Sequence, residues 1–296
     1  MSTKLLTRIR SRMFLRARRR VLHLLDGQYT ARLRGRSMDF DDLREYVPGD
    51  EVRDIDWKAS ARSAAPLVKR YVAERRHRVL FVVDRGRNLR ARSAAGEEKL
   101  GIALAVVGVL GTLALRHGDE TGMVTGDEQA VAAFPFRGSE RALERMLRAV
   151  HDGAALNGPR SDLPRLLERV ALTERRRVFL VIVADELDWD ERTAALLRRL
   201  AAQHETIWVQ LGDADPAVED ADGRRAYDVA GGWAMPAQLA ANPSIRREYE
   251  YRTRLRRFEM EETFDRHAVS FARVEREEEV VPALLRMLKA RSHVRH

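Results

Sequence analysis

An acidic residue at the end of an apolar run is the most informative chemical group in this sequence. Residues 78–83 form a nearly continuous β-branched and apolar run, and Asp84 follows it directly. Such a run is typical of a strand that is buried on both faces of a parallel sheet. The residues from Arg85 to Asn88 cannot extend the strand, and a long helical pattern follows at 97–116. We therefore place Asp84 at the carboxyl end of a central strand, where open α/β sheets collect ligands.

A second buried strand ends in the same way. Residues 177–184 form another apolar run, and Asp185 follows it. Because the carboxyl ends of parallel strands share one edge of a sheet, the two carboxylates are predicted to project from adjacent strand tips into one pocket.

An acidic cluster also lies earlier in the chain. Such a cluster can hold two metal ions in a hydrolase, but arginine and lysine residues are interleaved here and no histidine is nearby until His77. We interpret the carboxylates as structural ion pairs, because charges inside a wrapped segment need partners. The members of the cluster are Asp39, Asp41, Asp42, Glu45, Asp50, Asp54 and Asp56.

Other catalytic signatures are missing from the sequence. The eight histidines show no metal-ligand spacing, and there is no Gly-x4-Gly-Lys-Ser/Thr loop or Gly-x-Ser-x-Gly elbow. There is no cysteine, which excludes disulfides and thiolate metal sites and favours a reducing compartment. These observations predict a protein that is not an enzyme.

Charge and hydropathy limit the partners and the location. The net charge is +9, and the excess of basic residues lies in the first part of the chain: residues 1–80 hold 20 Lys and Arg against 10 Asp and Glu. A basic arm can meet nucleic acid or anionic lipid, or it can be a solvated helix face. The longest apolar run, 102–115, is too short for a bilayer core of roughly 30 Å and predicts a buried core helix. No secretory signal is visible, so we expect a cytoplasmic protein.

The elements that must position the two carboxylates form two predicted regions. Residues 1–76 comprise a basic helix over 4–25, ending near Asp26 and Gly27, and an irregular wrapped segment. Residues 77–296 alternate strands with helices, which predicts an α/β fold with a mostly parallel three-layer sheet. A hairpin is expected where 120–125 and 129–134 meet.

The order of residues between Arg36 and Arg62 resembles the family catalogued as domain of unknown function 58. Within it we single out an interaction or structural signature, with Trp57 as a packing anchor: Arg44, Tyr46, Pro48, Gly49, Asp50, Arg53, Asp56, Trp57 and Arg62. The resemblance implies a Rossmann-like, von Willebrand factor A-type sheet after the N-terminal segment.

Domains of that type typically hold a divalent ion through an Asp-x-Ser-x-Ser motif, a Thr and a second Asp. The corresponding positions here are Asp84, Asn88, Ser161 and Asp185. Hard oxygen ligands of this kind suit Mg²⁺. However, Gly86 offers no side-chain oxygen, and Arg85 and Arg87 bring cations close. We expect a degenerate site without a resident cofactor, in which Asp84 and Asp185 cap helices or have an arginine as counter-charge, and Mg²⁺ binding is the alternative.

The resemblance also implies a role. Members of the family are often encoded beside AAA+ ATPases of the MoxR type, and are thought to act with them in assembly or maturation of other proteins. We therefore expect an interaction or scaffold protein whose partners are such an ATPase and its client proteins. The alternative is binding to nucleic acid, without specific recognition, or peripheral binding to an anionic membrane through residues 1–20. A third hypothesis is a metal-dependent hydrolase that uses Asp84 and Asp185.

Overall fold

A computed structural model describes most of the chain, with gaps. The described residues are 4–16, 19–34, 43–47, 55–63, 65–69, 76–186, 190–214, 227–229, 231, 233–234, 236, 239 and 241–290. The helices are α1 (Leu5–Arg16), α2 (Arg19–Arg34), α3 (Trp57–Ser60), α4 (Lys99–Arg116), α5 (Glu140–Gly153), α6 (Leu163–Thr173), α7 (Glu191–Gln203), α8 (Pro243–Arg266) and α9 (Val280–Ala290). The strands are β1 (Leu43–Glu45), β2 (Leu67–Lys69), β3 (Arg78–Asp84), β4 (Glu120–Gly126), β5 (Val131–Arg137), β6 (Phe179–Asp185), β7 (Glu205–Leu211), β8 (Tyr227–Asp228), β9 (Trp233–Ala234) and β10 (Ser270–Val274).

The central sheet has six strands in the order β10-β7-β6-β3-β4-β5. Every neighbouring pair is parallel except β4 with β5, which form the predicted hairpin. Counted along this sheet, the order is 3-2-1-4-5-6, which is that of a doubly wound Rossmann sheet. The predicted α/β fold with a mostly parallel sheet is confirmed. In this topology the strand order reverses between β3 and β6.

Alternate residues of β3 belong to two separate hydrophobic cores, as a three-layer architecture requires. Phe81 and its same-face neighbours pack with α4, whereas Leu80 and Val82 pack with α6. Because both faces are covered, the strand is apolar along its whole length. The two cores hold β3 rigidly up to its last residue, Asp84.

Helix α4 lies in the larger core. It is long and apolar enough to cross a membrane by length and composition, but 83% of it is buried within the protein. The prediction of a buried core helix is therefore confirmed. Close packing requires the glycines of its buried face, because a Cβ on Gly108 would lie 2.8 Å from Ile9 Cγ2.

The N-terminal region forms two helices, where the sequence predicted one. Helix α2 continues past Asp26 and Gly27, because Leu25 and Tyr29 are fully buried in the same core as α4. Leu6 and Ile9 of α1 belong to that core as well. Burial on both sides of Gly27 thus overrides its tendency to end a helix. The helices share a core with the sheet, and the proposed domain boundary at residue 76 stays a prediction.

Candidate functional site

Asp84 and Asp185 lie at the carboxyl ends of adjacent strands, beside the point where the strand order reverses. Val83 of β3 pairs with Val183 of β6, so Asp185 lies one residue further out than Asp84. Their exposed fractions are only 6% and 8%. The predicted placement at adjacent strand tips is confirmed. The region between these two tips, called the crevice below, is where doubly wound sheets bind ligands.

The Asp84 carboxylate is only partly satisfied. The Gly86 amide donates to Asp84 Oδ1 at 2.8 Å, whereas Oδ2 is buried without a hydrogen-bond partner. The pKa of Asp84 is raised to about 7: burial is the largest cause, the Gly86 amide and the Ser161 hydroxyl lower the pKa, and the nearby Asp185 carboxylate raises it. A neutral carboxyl group at this position can donate a hydrogen bond as well as accept one.

Ser161 lies against the β3 tip, where the resemblance places it. A Cβ on Gly86 would be 2.4 Å from the Ser161 backbone nitrogen and 2.5 Å from its Oγ. The loop before α6 therefore fills the space that a side chain at position 86 would need. Position 86 must be glycine for this contact to exist.

Asn88 and Arg87 lie in a 3₁₀ turn directly after this tip. Asn88 Oδ1 and Arg87 Nε are both buried without a hydrogen-bond partner. Arg85 points elsewhere: its Nε pairs with Asp127 at 3.2 Å. Among the described residues, no ion pair joins Arg85 or Arg87 to Asp84 or Asp185, so the prediction of an arginine counter-charge is wrong.

The counter-charge is Lys99, the first residue of α4. Its side chain has 0% exposure, and Nζ lies 2.5 Å from Asp185 Oδ1. The same ammonium donates to Asp213, which follows β7 and whose side chain is 39% exposed. Burial lowers the pKa of Lys99, but the two carboxylates raise it more, so the net shift is upward and the ammonium stays charged. Lys99 is not among the site residues predicted from the sequence, where its signal is a lone lysine at the start of an apolar helix.

Glu186 extends the charged cluster towards the C-terminal elements. It pairs with Arg257 of α8 at 2.8 Å and with Arg273 of β10 at 3.1 Å. Burial raises the pKa of Glu186, but the two arginines lower it more, so the carboxylate is charged. The Asp213 amide also donates to Glu186, at 3.3 Å. Helix α8 is thereby tied to the same edge of the sheet.

The residues of the crevice do not fit a resident Mg²⁺ ion. Asp185 is already held by an ammonium, and position 86 has neither an oxygen nor room for one. Asp84 Oδ2 and Asn88 Oδ1 are the free acceptors, which leaves one carboxylate and one amide against the six oxygen ligands that Mg²⁺ demands. Nor does the described part of the chain contain a group of three or more His, Cys, Asp or Glu side chains that could hold a metal.

A general base for hydrolysis is also hard to assign. His204 is buried with both ring nitrogens unpaired, and burial lowers its pKa to about 4. However, it immediately precedes β7 and so lies at the opposite edge of the sheet from Asp84. A histidine at that edge cannot take a proton from a ligand in the crevice.

The signature segment is described in part. Pro48, Gly49, Asp50 and Arg53 lie outside the described residues, as do the side chain of Arg44 and most of the acidic cluster. Two of its members contribute backbone hydrogen bonds around the small antiparallel sheet of β1 and β2. The Arg44 backbone pairs with Val68, and the Tyr46 amide donates to Pro66.

The end of the signature forms the short helix α3. Asp56 caps it by accepting from the Lys58 and Ala59 amides, which suits the predicted structural role. The Arg62 backbone amide donates a hydrogen bond to the Ala59 carbonyl at the end of this helix. Trp57 is 65% exposed, so its prediction as a packing anchor is wrong.

Comparisons with known proteins show what this chain is similar to. Two curated relatives are 27% identical over 231 residues, covering 76% of this chain and 71% of theirs: "Uncharacterized protein Mb1516" of Mycobacterium bovis and "Uncharacterized protein Rv1480" of Mycobacterium tuberculosis. An aerotolerance-related membrane protein from Bacteroides fragilis superposes with a TM-score of 0.42 at 13% identity, over 72% of this chain and 99% of that one. The SpRpn10 VWA domain gives 0.35 at 10% identity, over 48% and 78%. Residues 42–259 match the family "Protein of unknown function DUF58", and the chain belongs to that family.

Proposed function

We propose that this protein is a non-enzymatic adaptor that binds a MoxR-type AAA+ ATPase during the assembly or maturation of client proteins, and that it works in the cytoplasm. One observation carries the proposal: helix α8 presents a stripe of exposed apolar side chains. The stripe consists of Tyr251, Leu255 and Phe258, which are 59%, 43% and 65% exposed.

The stripe occupies one side of the helix. A spacing of four and then three residues places its members on a common face. The residues that anchor α8 to the sheet domain, Met260 and Phe264, are 5% and 1% exposed and lie on the other face. Single exposed apolar residues are normal on a protein surface, but contiguous ones mark an interaction site. Two aromatic rings and a leucine on one helix face are therefore typical of a protein interface.

The surroundings of the stripe are basic. From Pro243 to Arg257 the helix has six arginines and two glutamates. Arg252 pairs with Glu248 within the helix, and the remaining glutamate is Glu250. The matching surface on the partner should therefore be acidic around an apolar pocket. Arg257 ties the base of this surface to Glu186 at the edge of the sheet.

The direct test is co-purification of the full chain with a MoxR-type ATPase, with ATP, with ADP and without nucleotide. We expect association that is lost when Tyr251, Leu255 and Phe258 are all changed to serine. The unfolding temperature should change little, because the three side chains are exposed. Leu156→Ser and Leu172→Ser are matched controls, since these leucines are 56% and 63% exposed elsewhere on the protein. No association under any nucleotide condition would overturn the proposal.

The alternative of an arm that binds nucleic acid or anionic membrane receives less support. Helix α1 packs on the core, and two of its arginines are engaged: Arg10 with Glu140 at 2.6 Å and Arg12 with Glu277 at 2.7 Å. Binding to DNA or anionic vesicles that falls steeply with salt and disappears on deleting residues 1–20 would restore that alternative.

A further inference from the structure

We infer that the Lys99 ammonium is the resident cation of the crevice, and that a divalent ion binds there only when Lys99 is removed. The ammonium contacts Asp185 and Asp213. Asp185 ends β6, and Asp213 follows the neighbouring strand β7. One internal charge therefore cross-links α4 to two strands of the sheet. A metal ion at such an edge would make the same connection through the same oxygens.

The distances around the Lys99 ammonium favour its replacement by a divalent ion. Lys99 Nζ lies 2.5 Å from Asp185 Oδ1. Calcium–oxygen bonds are about 2.3–2.6 Å long, so an ion at the Nζ position would reach the same carboxylates. The side chain that delivers the ammonium is completely buried, so removing it would open a space between the two carboxylates without disturbing the surface.

Water can supply the remaining oxygen ligands. Asp213 is 39% exposed, so water has access to the carboxylate pair and can complete the coordination shell of an ion. Without Lys99 the crevice would hold unpaired carboxylates, which repel one another and attract a hard divalent cation.

The test compares unfolding temperatures of the full chain and of Lys99→Ser with EDTA, Mg²⁺ or Ca²⁺. We expect no response of the unmodified protein to any of these. We expect Lys99→Ser to unfold at a lower temperature and to regain about 5 °C with saturating Ca²⁺, with one binding site by calorimetry. Lys58→Ser, which removes an exposed lysine, should show neither effect.

A triple variant separates the charge of Lys99 from its packing. Lys99→Ser combined with Asp185→Asn and Asp213→Asn should regain stability without metal and lose the response to Ca²⁺. If Lys99→Ser does not fold, recovery of folding in the triple variant supports the inference, and failure of both variants contradicts it. Saturable binding of Mg²⁺ or Ca²⁺ to the unmodified protein would overturn it, as would a folded Lys99→Ser variant that ignores both ions.

Discussion

Gly86 and Ser161 are in such close contact that a Cβ on Gly86 would lie 2.4 Å from the Ser161 backbone nitrogen. The atoms in the way belong mainly to the backbone, so they cannot move aside as a flexible side chain would. The contact locks the loop before α6 onto the tip of β3. It also opposes a serine at position 86, which is one of the two positions where this chain departs from the Asp-x-Ser-x-Ser pattern.

Gly86→Ser should therefore destabilise the protein, although it brings the sequence closer to a metal-binding motif. We expect a loss of about 2 kcal/mol or more in the free energy of unfolding, measured by urea denaturation. Gly138→Ser is the control, because a Cβ at that position meets its nearest atom at an ordinary 3.6 Å. Unchanged stability of Gly86→Ser together with new Mg²⁺ binding would contradict this account of the crevice.

The buried Asp84 carboxyl should make stability depend on pH. Burial raises its pKa from 3.8 to about 7, so its contribution is fully present below about pH 4 and is lost as the pH rises through 7. The loss is at most about 4 kcal/mol. Asp84→Asn keeps the shape and cannot ionise, so the difference in stability between the two proteins should change between pH 5 and pH 8.

His204 acts in the opposite direction in the same experiment. Burial lowers its pKa to about 4, so its contribution is present above about pH 6.5 and is lost as the pH falls through 4. Both proteins retain this histidine, and its effect cancels in the difference. A difference that stays constant from pH 5 to pH 8 would show that Asp84 is ionised throughout.

The sequence predicts the sheet well because fully buried strands leave continuous apolar runs. Strands β3 and β6 are buried on both faces, so their lengths and their terminal aspartates can be recognised without knowing the fold. Ser161 could be placed only through the family pattern, since a serine before a helix is common and its contact with Gly86 is a tertiary feature.

Lys99 could not be predicted in the same way. Its partners lie 86 and 114 residues further along the chain. No periodic pattern in the sequence indicates Asp213, which follows a strand. A lone lysine at the start of an apolar helix is normally interpreted as a solvated end. The sequence favours Arg85 and Arg87 as counter-charges because they are close to Asp84 in the chain, but the turn after β3 directs Arg85 to Asp127.

Helix α4 offers a matched pair of glycines that tests the packing of α1. A Cβ on Gly108 would lie 2.8 Å from Ile9 Cγ2, whereas Gly101 has no atom within 4 Å. Gly108→Ala should cost about 1 kcal/mol, because Ile9 must move. Gly101→Ala should stabilise the helix by up to about 1 kcal/mol. Denaturant unfolding distinguishes them, and a stabilising Gly108→Ala would mean that α1 does not rest on this face.

The buried hydrogen bond between Tyr29 and Asp119 should hold α2 to the sheet domain. The Tyr29 hydroxyl donates to Asp119 Oδ2 at 3.0 Å, and the His77 amide donates to the other oxygen at 3.0 Å. Burial raises the pKa of Tyr29 well above its usual value, and the Asp119 carboxylate adds to the shift, so the hydroxyl remains a donor at any accessible pH.

Tyr29→Phe keeps the stacking of the ring on His117 and removes only the donor. Because Asp119 is 4% exposed, water cannot fully replace the lost bond, and we expect a loss of about 1–3 kcal/mol in unfolding free energy. Hydrogen exchange should then show that amides of α2 open more readily than those of β3. Tyr251→Phe, at a ring that is 59% exposed, is the control and should leave both measurements unchanged. Equal stability of Tyr29→Phe and the unmodified protein would mean that apolar contacts alone hold α2 in place.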